Sequence, residues 1–297
     1  MRKAENRNLC PLCAIAMQNR ICSYTYYCES CDYWAAFLPT AIDDISSYLF
    51  SEKNNGHDIL SFLDVVRIKN FNEILDKINS SEGTGALKIL DVGCATGLFL
   101  KISQDRGHIA TGIEPNPVMA KSASEKGFNV VNGYFPAALP PTSRFDVIIF
   151  NDVFEHIPDL NEILINCKIF LEDQGILVIN LPNSGGIFFR LAKMLVIVGV
   201  PGPWNRLWQV MFNTPHLHYF NSSSLDALLM RHDFVNKSEA VYMESVSLFG
   251  LWERIGIDNS RVLLSKLLLF IFIVAFYPIT KFLEKDTFFS IYKKSNK

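Results

Sequence analysis

The chain has almost no excess of charge of either sign. Its 28 lysines and arginines stand against 30 aspartates and glutamates, a formal net charge of −2. The one-signed field that a nucleic-acid binder relies on is therefore missing. No internal repeat is found, which argues against solenoids and propellers. With 20% charged and 49% apolar residues the chain is neither disordered nor all-membrane. No charge-free apolar run reaches the ~20 residues that span a bilayer; the greasiest, Leu267 to Thr280, is shorter. The start, Met1 to Asn8, lacks the apolar core of a secretory signal, and the expected compartment is the reducing cytoplasm. Cysteine is scarce after the first 31 residues, where only Cys94 and Cys167 occur.

Five of the seven cysteines lie at the N-terminal end. Cys10-Pro-Leu-Cys13 and Cys28-Glu-Ser-Cys31 are two CxxC knuckles, separated by fourteen residues. Each knuckle can offer two thiolates from one tight turn, and together they can close a tetrahedral zinc site. A pair of disulfides is the alternative, and a reducing compartment disfavours it. Cys22 is left over, with no ligand role expected. A short segment with little core takes its folding energy from the metal.

The most informative stretch is Ile89-Leu-Asp91-Val-Gly93-Cys94-Ala95-Thr-Gly97-Leu-Phe-Leu100. An apolar run ends in an acid, a turn poor in side chains follows, and an apolar-periodic segment begins. That pattern reads as a buried parallel strand entering a helix. Gly93 and Gly97 allow backbone angles closed to other residues and a close ligand approach. About twenty residues on, Ile109-Ala-Thr-Gly-Ile-Glu114 reads as a second strand ending in an acid. Nucleotide-binding sheets hold a ribose hydroxyl pair at that position. The dinucleotide fingerprint GxGxxG fits poorly, because the third glycine comes one residue early and Asp91 would repel a pyrophosphate. An acid there suits a cationic ligand.

These residues resemble the class I S-adenosylmethionine-dependent methyltransferases, whose first motif is an acid followed by GxGxG; Ala95 stands at the middle glycine. The likeness continues through Phe145-Asp-Val-Ile-Ile-Phe-Asn151-Asp152-Val153-Phe-Glu155-His156-Ile-Pro-Asp159. Leu171 to Asn183 and His216-Leu-His218-Tyr-Phe220 carry it further, over about residues 86 to 236. The resemblance implies S-adenosylmethionine as cofactor, with Gly93, Cys94, Ala95 and Gly97 against its methionine part. Asp91 would face the sulfonium or amino group, or organise the turn, and Glu114 would accept from the ribose. Gly133 and Tyr134 match the place where the family often has an acid facing the adenine amine. Asn151, Asp152 and Val153 would end the fourth strand beside the methyl group. His156, His216 and His218 are the candidate bases for an acceptor hydroxyl; for any one of them a packing role is the competing reading. The CxxC ribbon itself resembles that of several bacterial methyltransferases, including sugar-modifying ones.

The expected organisation is a zinc ribbon over 1–35 and a helical connector over 36–85 packing over the cofactor mouth. A doubly wound, mostly parallel seven-stranded α/β sheet follows over 86–250, with a lid insertion over 183–215. Residues 251–297 read as an apolar, basic helical tail, able to lie in a membrane interface or to be buried against the domain. The leading functional expectation is methyl transfer to a small-molecule or saccharide acceptor, lipid-linked in one version. No nucleic-acid partner is expected, and the protein would be cytoplasmic, in one version peripheral on the inner membrane face. The alternatives are a catalytically silent zinc-ribbon adaptor at a membrane and a nicotinamide dehydrogenase.

Overall fold

The computed structural model describes residues 9–40, 56–83, 85–243 and 284–295, with side chains from residue 65 in the helix that begins at 56. The apolar run 262–280 and most of the expected tail lie outside the described residues.

Three short strands open the chain: β1 (Gln18–Asn19), β2 (Thr25–Cys28) and β3 (Tyr33–Ala36). Helix α1 (Gly56–Glu82) follows, and then strands and helices alternate: β4 (Lys88–Val92), α2 (Leu98–Asp105), β5 (Ile109–Glu114), α3 (Pro117–Glu125) and β6 (Asn129–Asn132). β7 (Phe145–Asn151) runs through a 3-10 turn at Phe154–His156 into α4 (Leu160–Phe170) and β8 (Leu171–Pro182). The lid carries α5 (Ile187–Ile197) and α6 (Gly202–Leu207). The last elements are β9 (His218–Tyr219), α7 (Ser222–Arg231), β10 (Phe234–Asn236), β11 (Val241–Met243) and β12 (Thr287–Lys294).

The large sheet has the order β10-β12-β8-β7-β4-β5-β6, with β11 paired to β12. The five strands from β6 to β8 are parallel; β12 lies antiparallel to both β8 and β10. The sheet is Rossmann-like and mostly parallel as expected, but it has eight strands with β11, and β12 comes from outside the expected span 86–250. Its middle strands are apolar runs because both faces are covered: Val147 to Phe150 and Ile176 to Ile179 are all buried. Local signals fix the helix starts. Asn116 caps α3 at Val118 and Met119 with Pro117 in the first turn, Asp159 caps α4, and Asn221 with Ser224 forms a capping box on α7.

The expected helical tail needs correction at its described end, residues 284–295. Residues 287–294 form β12, a buried strand of the central sheet. Thr-Phe-Phe-Ser-Ile-Tyr is aromatic and β-branched, a composition that packs well on a pleated surface. Phe288, Phe289, Ile291 and Tyr292 are buried, and the Tyr292 hydroxyl donates to Asp226 Oδ1 at 2.7 Å.

The connector and ribbon also differ in detail from the expectation. The C-terminal half of α1 lies on the sheet, where Phe71, Ile74, Leu75 and Ile78 pack with Ile89, Phe99, Val147 and Ile149. Among its described side chains, Val66, Arg67, Asn70 and Phe71 line the cleft of the site. The ribbon sheet β1-β2-β3 is continued by β9, through the pairs Trp34↔Tyr219 and Ala35↔His218. Ribbon and body therefore share one sheet. Asn221 donates to Asp32 Oδ2 at 2.7 Å, and Arg231 to the Leu12 carbonyl, across the same seam. The lid is packed by Phe189, Trp204, Trp208 and Tyr219 around Trp34. Among the described residues no helix is long and apolar enough to cross a membrane.

Candidate active site

The turn after β4 is built around the backbone rather than side chains. Gly93 and Gly97 have φ of 78° and 88°, and Ala95 also takes a positive φ of 48°. A Cβ on Gly93 would stand 2.5 Å from Val153 Cγ2. That glycine is therefore fixed both by its angles and by the approach of the fourth parallel strand. The amides of Gly93 and Cys94 both donate to the Ile113 carbonyl. The Ala95 amide donates to Glu114 Oε2 at 2.9 Å, and the Asn116 amide to Oε1 at 2.8 Å. Glu114 thus ties the turn to the end of β5. The Cys94 side chain points away, buried against Leu100 and Ala110.

Asp91 and Glu114 end neighbouring parallel strands, as expected. Both are buried. Burial pushes the Asp91 carboxyl up to about 7; the charge of Glu114 adds to the rise, and the Asn151 Nδ2–H donating at 3.3 Å works against it. Burial raises Glu114 as well, opposed by the amides of Asn116 and Ala95. Two buried carboxylates facing one rim favour a positive ligand. Asn116 Nδ2 is a buried donor without a hydrogen-bond partner beside Glu114, and sequence reasoning did not single it out. Tyr134 is 48% exposed at the far rim, after Gly133 with φ 146°.

The end of β7 joins this rim to a second space. Asn151 contacts Asp91, Val153 covers Gly93, and Asp152, with φ 53°, opens into a cleft of about 540 Å³. Arg67, Glu155, His156, Gln209, His216 and Asp286 also line that cleft. His156 and His216 meet there, their ring centroids 4.8 Å apart. The His156 Nδ1–H donates to the Pro215 carbonyl at 2.8 Å, and the His216 Nδ1–H to the Tyr219 hydroxyl at 3.1 Å. Burial lowers both histidines, and His156 depresses His216 further. Glu155 is 1% exposed, and neither carboxyl oxygen has a hydrogen-bond partner. Burial and the charge of Asp152 hold its carboxyl well above the usual range.

His218 does not belong with them. Its Nδ1 meets the Tyr33 hydroxyl and its Nε2 donates to the Ile157 carbonyl at 2.9 Å. Burial pushes it down to about 4. Both nitrogens are used, and the ring faces the ribbon, so the expected role as a base is replaced by one in joining ribbon to body. Glu155 is the residue that sequence reasoning did not single out. Asp159 caps α4, accepting from the Glu162 amide at 3.1 Å. The signal available was an acid–histidine pair just past a strand end. Trp204 and Trp208 are lid core, while Phe212 reaches the cleft.

In the ribbon Cys10, Cys13, Cys28 and Cys31 converge, their sulfurs all within 4.8 Å of one another. All four are free thiols, and Cys13 Sγ lies 3.6 Å from Cys28 Sγ. Tetrahedral bonds of ~2.3 Å require sulfurs about 3.8 Å apart, so the cage fits the donor set of a structural metal. Cys22 lies apart, packed against the lid cluster.

Residues 34–239 match a family model described as a methyltransferase domain. A ubiquinone biosynthesis O-methyltransferase of Bradyrhizobium diazoefficiens is 28% identical over 120 residues, covering 39% of this chain and 47% of the relative. One from Actinobacillus pleuropneumoniae serotype 5b is 31% identical over 132 residues, covering 40% and 54%. The chain thus spans about half the length of the curated relatives it matches. The crystal structure of magnesium protoporphyrin IX methyltransferase from Synechocystis PCC 6803 with bound SAH superposes with a TM-score of 0.54 at 11% identity. That superposition covers 84% of this chain and 95% of the other. At such identity the likeness is one of fold.

Proposed function

Because the chain belongs to the methyltransferase-domain family, matched over more than half its length, we propose that it moves the methyl group of S-adenosylmethionine to a hydroxyl of a small molecule or saccharide. One observation carries the reading: the acid-flanked Gly93–Gly97 turn and the 540 Å³ cleft are joined by a single strand end, Asn151–Val153. When bound, the cofactor supplies an electrophilic methyl on a cationic sulfur. Glu114 accepts from the ribose, and Asp91 faces the positive end. Gly93, Ala95 and Gly97 give the backbone surface on which the methionine part lies, and the Gly133–Tyr134 rim borders the base.

The chain's work is then alignment and exclusion of water. Asp152 and Val153 separate the two spaces at the point of transfer. The acceptor lies against Glu155, His156 and His216, a floor that assists loss of the hydroxyl proton, under a lid closed by Phe188 and Phe212. The name O-methyltransferase on the curated relatives supports oxygen as the acceptor atom. Met194 and Ile197 on α5 and Val198 just after it are 67%, 69% and 73% exposed. These side chains support contact with a lipid surface, and with it a lipid-linked acceptor. The four-cysteine cage is assigned to structural zinc, and the ribbon, connector, sheet and lid are read as one working unit.

Isothermal titration of the zinc-loaded chain with S-adenosylmethionine tests the proposal. Saturable binding of one cofactor per chain is expected, weakened at least about tenfold in Glu114→Gln, which loses a charge-assisted hydrogen bond. Absence of saturable binding would overturn it.

A further inference from the structure

We propose that Glu155, His156 and His216 form a divalent-cation site in the floor of the cleft, with the acceptor hydroxyl as a further ligand. The inference rests on the acceptor occupying this cleft.

Three ligand atoms from these residues lie within 4.8 Å of one another. The Nε2 atoms of His156 and His216 each stand 3.9 Å from Glu155 Oε1. That is too far for a hydrogen bond, so a proton shared between them does not explain the arrangement. Each histidine uses its Nδ1–H on the outside, on Pro215 and on Tyr219. The Tyr219 hydroxyl in turn donates to the Leu207 carbonyl at 3.1 Å. Such outer partners fix the tautomer and turn the Nε2 lone pair inward, as around metal-bound imidazoles. Glu155 is buried, and both its oxygens lack partners. Among the described residues its only ion-pair neighbours are these two histidines.

Both Glu155 oxygens lack a donor, and the Gln209 amide sits on His216 Nε2 rather than in the gap between the three groups; a cation there gives them the partner they lack. Asp152 places a second carboxyl group nearby. Bonds of ~2.1 Å need ligand atoms roughly 3 to 3.4 Å apart, so binding draws the three atoms inward by about half an ångström. Gln209 Nε2 donates to His216 Nε2 at 2.8 Å and is the group the ion displaces. Two imidazoles and one carboxylate leave coordination positions open, the pattern of a working rather than a structural site. A bound hydroxyl there is held in place and made more acidic. Transfer then forms the oxygen–methyl bond as the methyl–sulfur bond breaks. The sulfur keeps the electron pair as a neutral thioether, and the proton leaves to water in the cleft.

Mn²⁺ is the probe, because hard cations avoid the thiolate ribbon. The full zinc-loaded chain is titrated with Mn²⁺, and free ion is read by electron paramagnetic resonance. S-adenosylmethionine binding is measured calorimetrically on the same samples. One Mn²⁺ per chain is expected. Glu155→Gln and His156→Ala should each weaken it at least tenfold while S-adenosylmethionine binding stays within about twofold. Wild-type chain that leaves Mn²⁺ free up to about 1 mM overturns the proposal. So does either variant binding both ligands like wild type. Should both variants lose the cofactor through misfolding, the wild-type titration decides. Mn²⁺ binding without cofactor binding would overturn the proposed function and leave the metal site standing; the reverse would overturn the metal site alone.

Discussion

Asp91 makes cofactor affinity depend on pH in a calculable way. Its carboxyl is buried and raised to about 7 in the free protein. The ordinary value is about 3.9, so the folded chain holds a proton there that the unfolded chain has released. Its contribution to stability is therefore present at low pH and lost as pH rises from about 4 to about 7. Above 7 the ionised group destabilises the free protein by on the order of 4 kcal/mol. A cation seated against Asp91 restores the carboxylate, so binding releases a proton below pH 7. Affinity should then rise with pH by up to about tenfold per unit, and by about twentyfold between pH 5.5 and 7.5. The assay is calorimetric titration with S-adenosylmethionine across that range, in buffers of different ionisation enthalpy so that proton release is counted directly. Asp91→Asn should flatten the profile. It should also melt later than wild type at pH 8, since Asn151 Oδ1 has no partner and can accept from the introduced amide. A flat wild-type profile, or an Asn variant with the wild-type slope, would refute the assignment of Asp91 to the cationic end.

Other consequences are as direct. Gly93→Ala puts a Cβ at 2.5 Å from Val153 and strains a φ of 78°; a loss of about 1–3 kcal/mol in chemical denaturation is expected, partly recovered by Val153→Ala. Cys28→Ser should abolish an otherwise equimolar zinc content read by mass spectrometry. It should also lower the melting temperature of the whole chain, because β3 continues into β9. Phe288→Ala in β12 should lose about 3–5 kcal/mol of stability, whereas a dispensable tail would tolerate it. Ile197→Asp with Val198→Asp should lower association with anionic liposomes without changing S-adenosylmethionine affinity.

Much of the fold could be read from residues 86–182 alone. Buried parallel strands there are continuous apolar runs, and a turn that must admit a ligand is written in glycine. Both acids that end β4 and β5 fall where their spacing put them. β12 escaped because its partners are distant in the chain, β8 by more than a hundred residues and β10 and β11 by more than forty, and pairing at such distances leaves no local period. The greasier segment before it captured the reading of 251–297. His216 lies two residues before His218, just ahead of the two-residue strand β9, so strand alternation does not set its direction. No pattern in the sequence separates the ribbon-facing ring from the cleft-facing one. Glu155 was visible as an acid beside a histidine, but its lack of partners is a property of packing.

The account stands on the turn between β4 and α2 and the carboxylate at the end of β5. A crystal structure of the chain with S-adenosylhomocysteine tests it most directly. Ligand density is predicted over Gly93–Gly97, with the ribose hydroxyls on Glu114 and the sulfur directed past Asn151 toward the cleft. Density elsewhere, or a ribose held by anything other than Glu114, would contradict it.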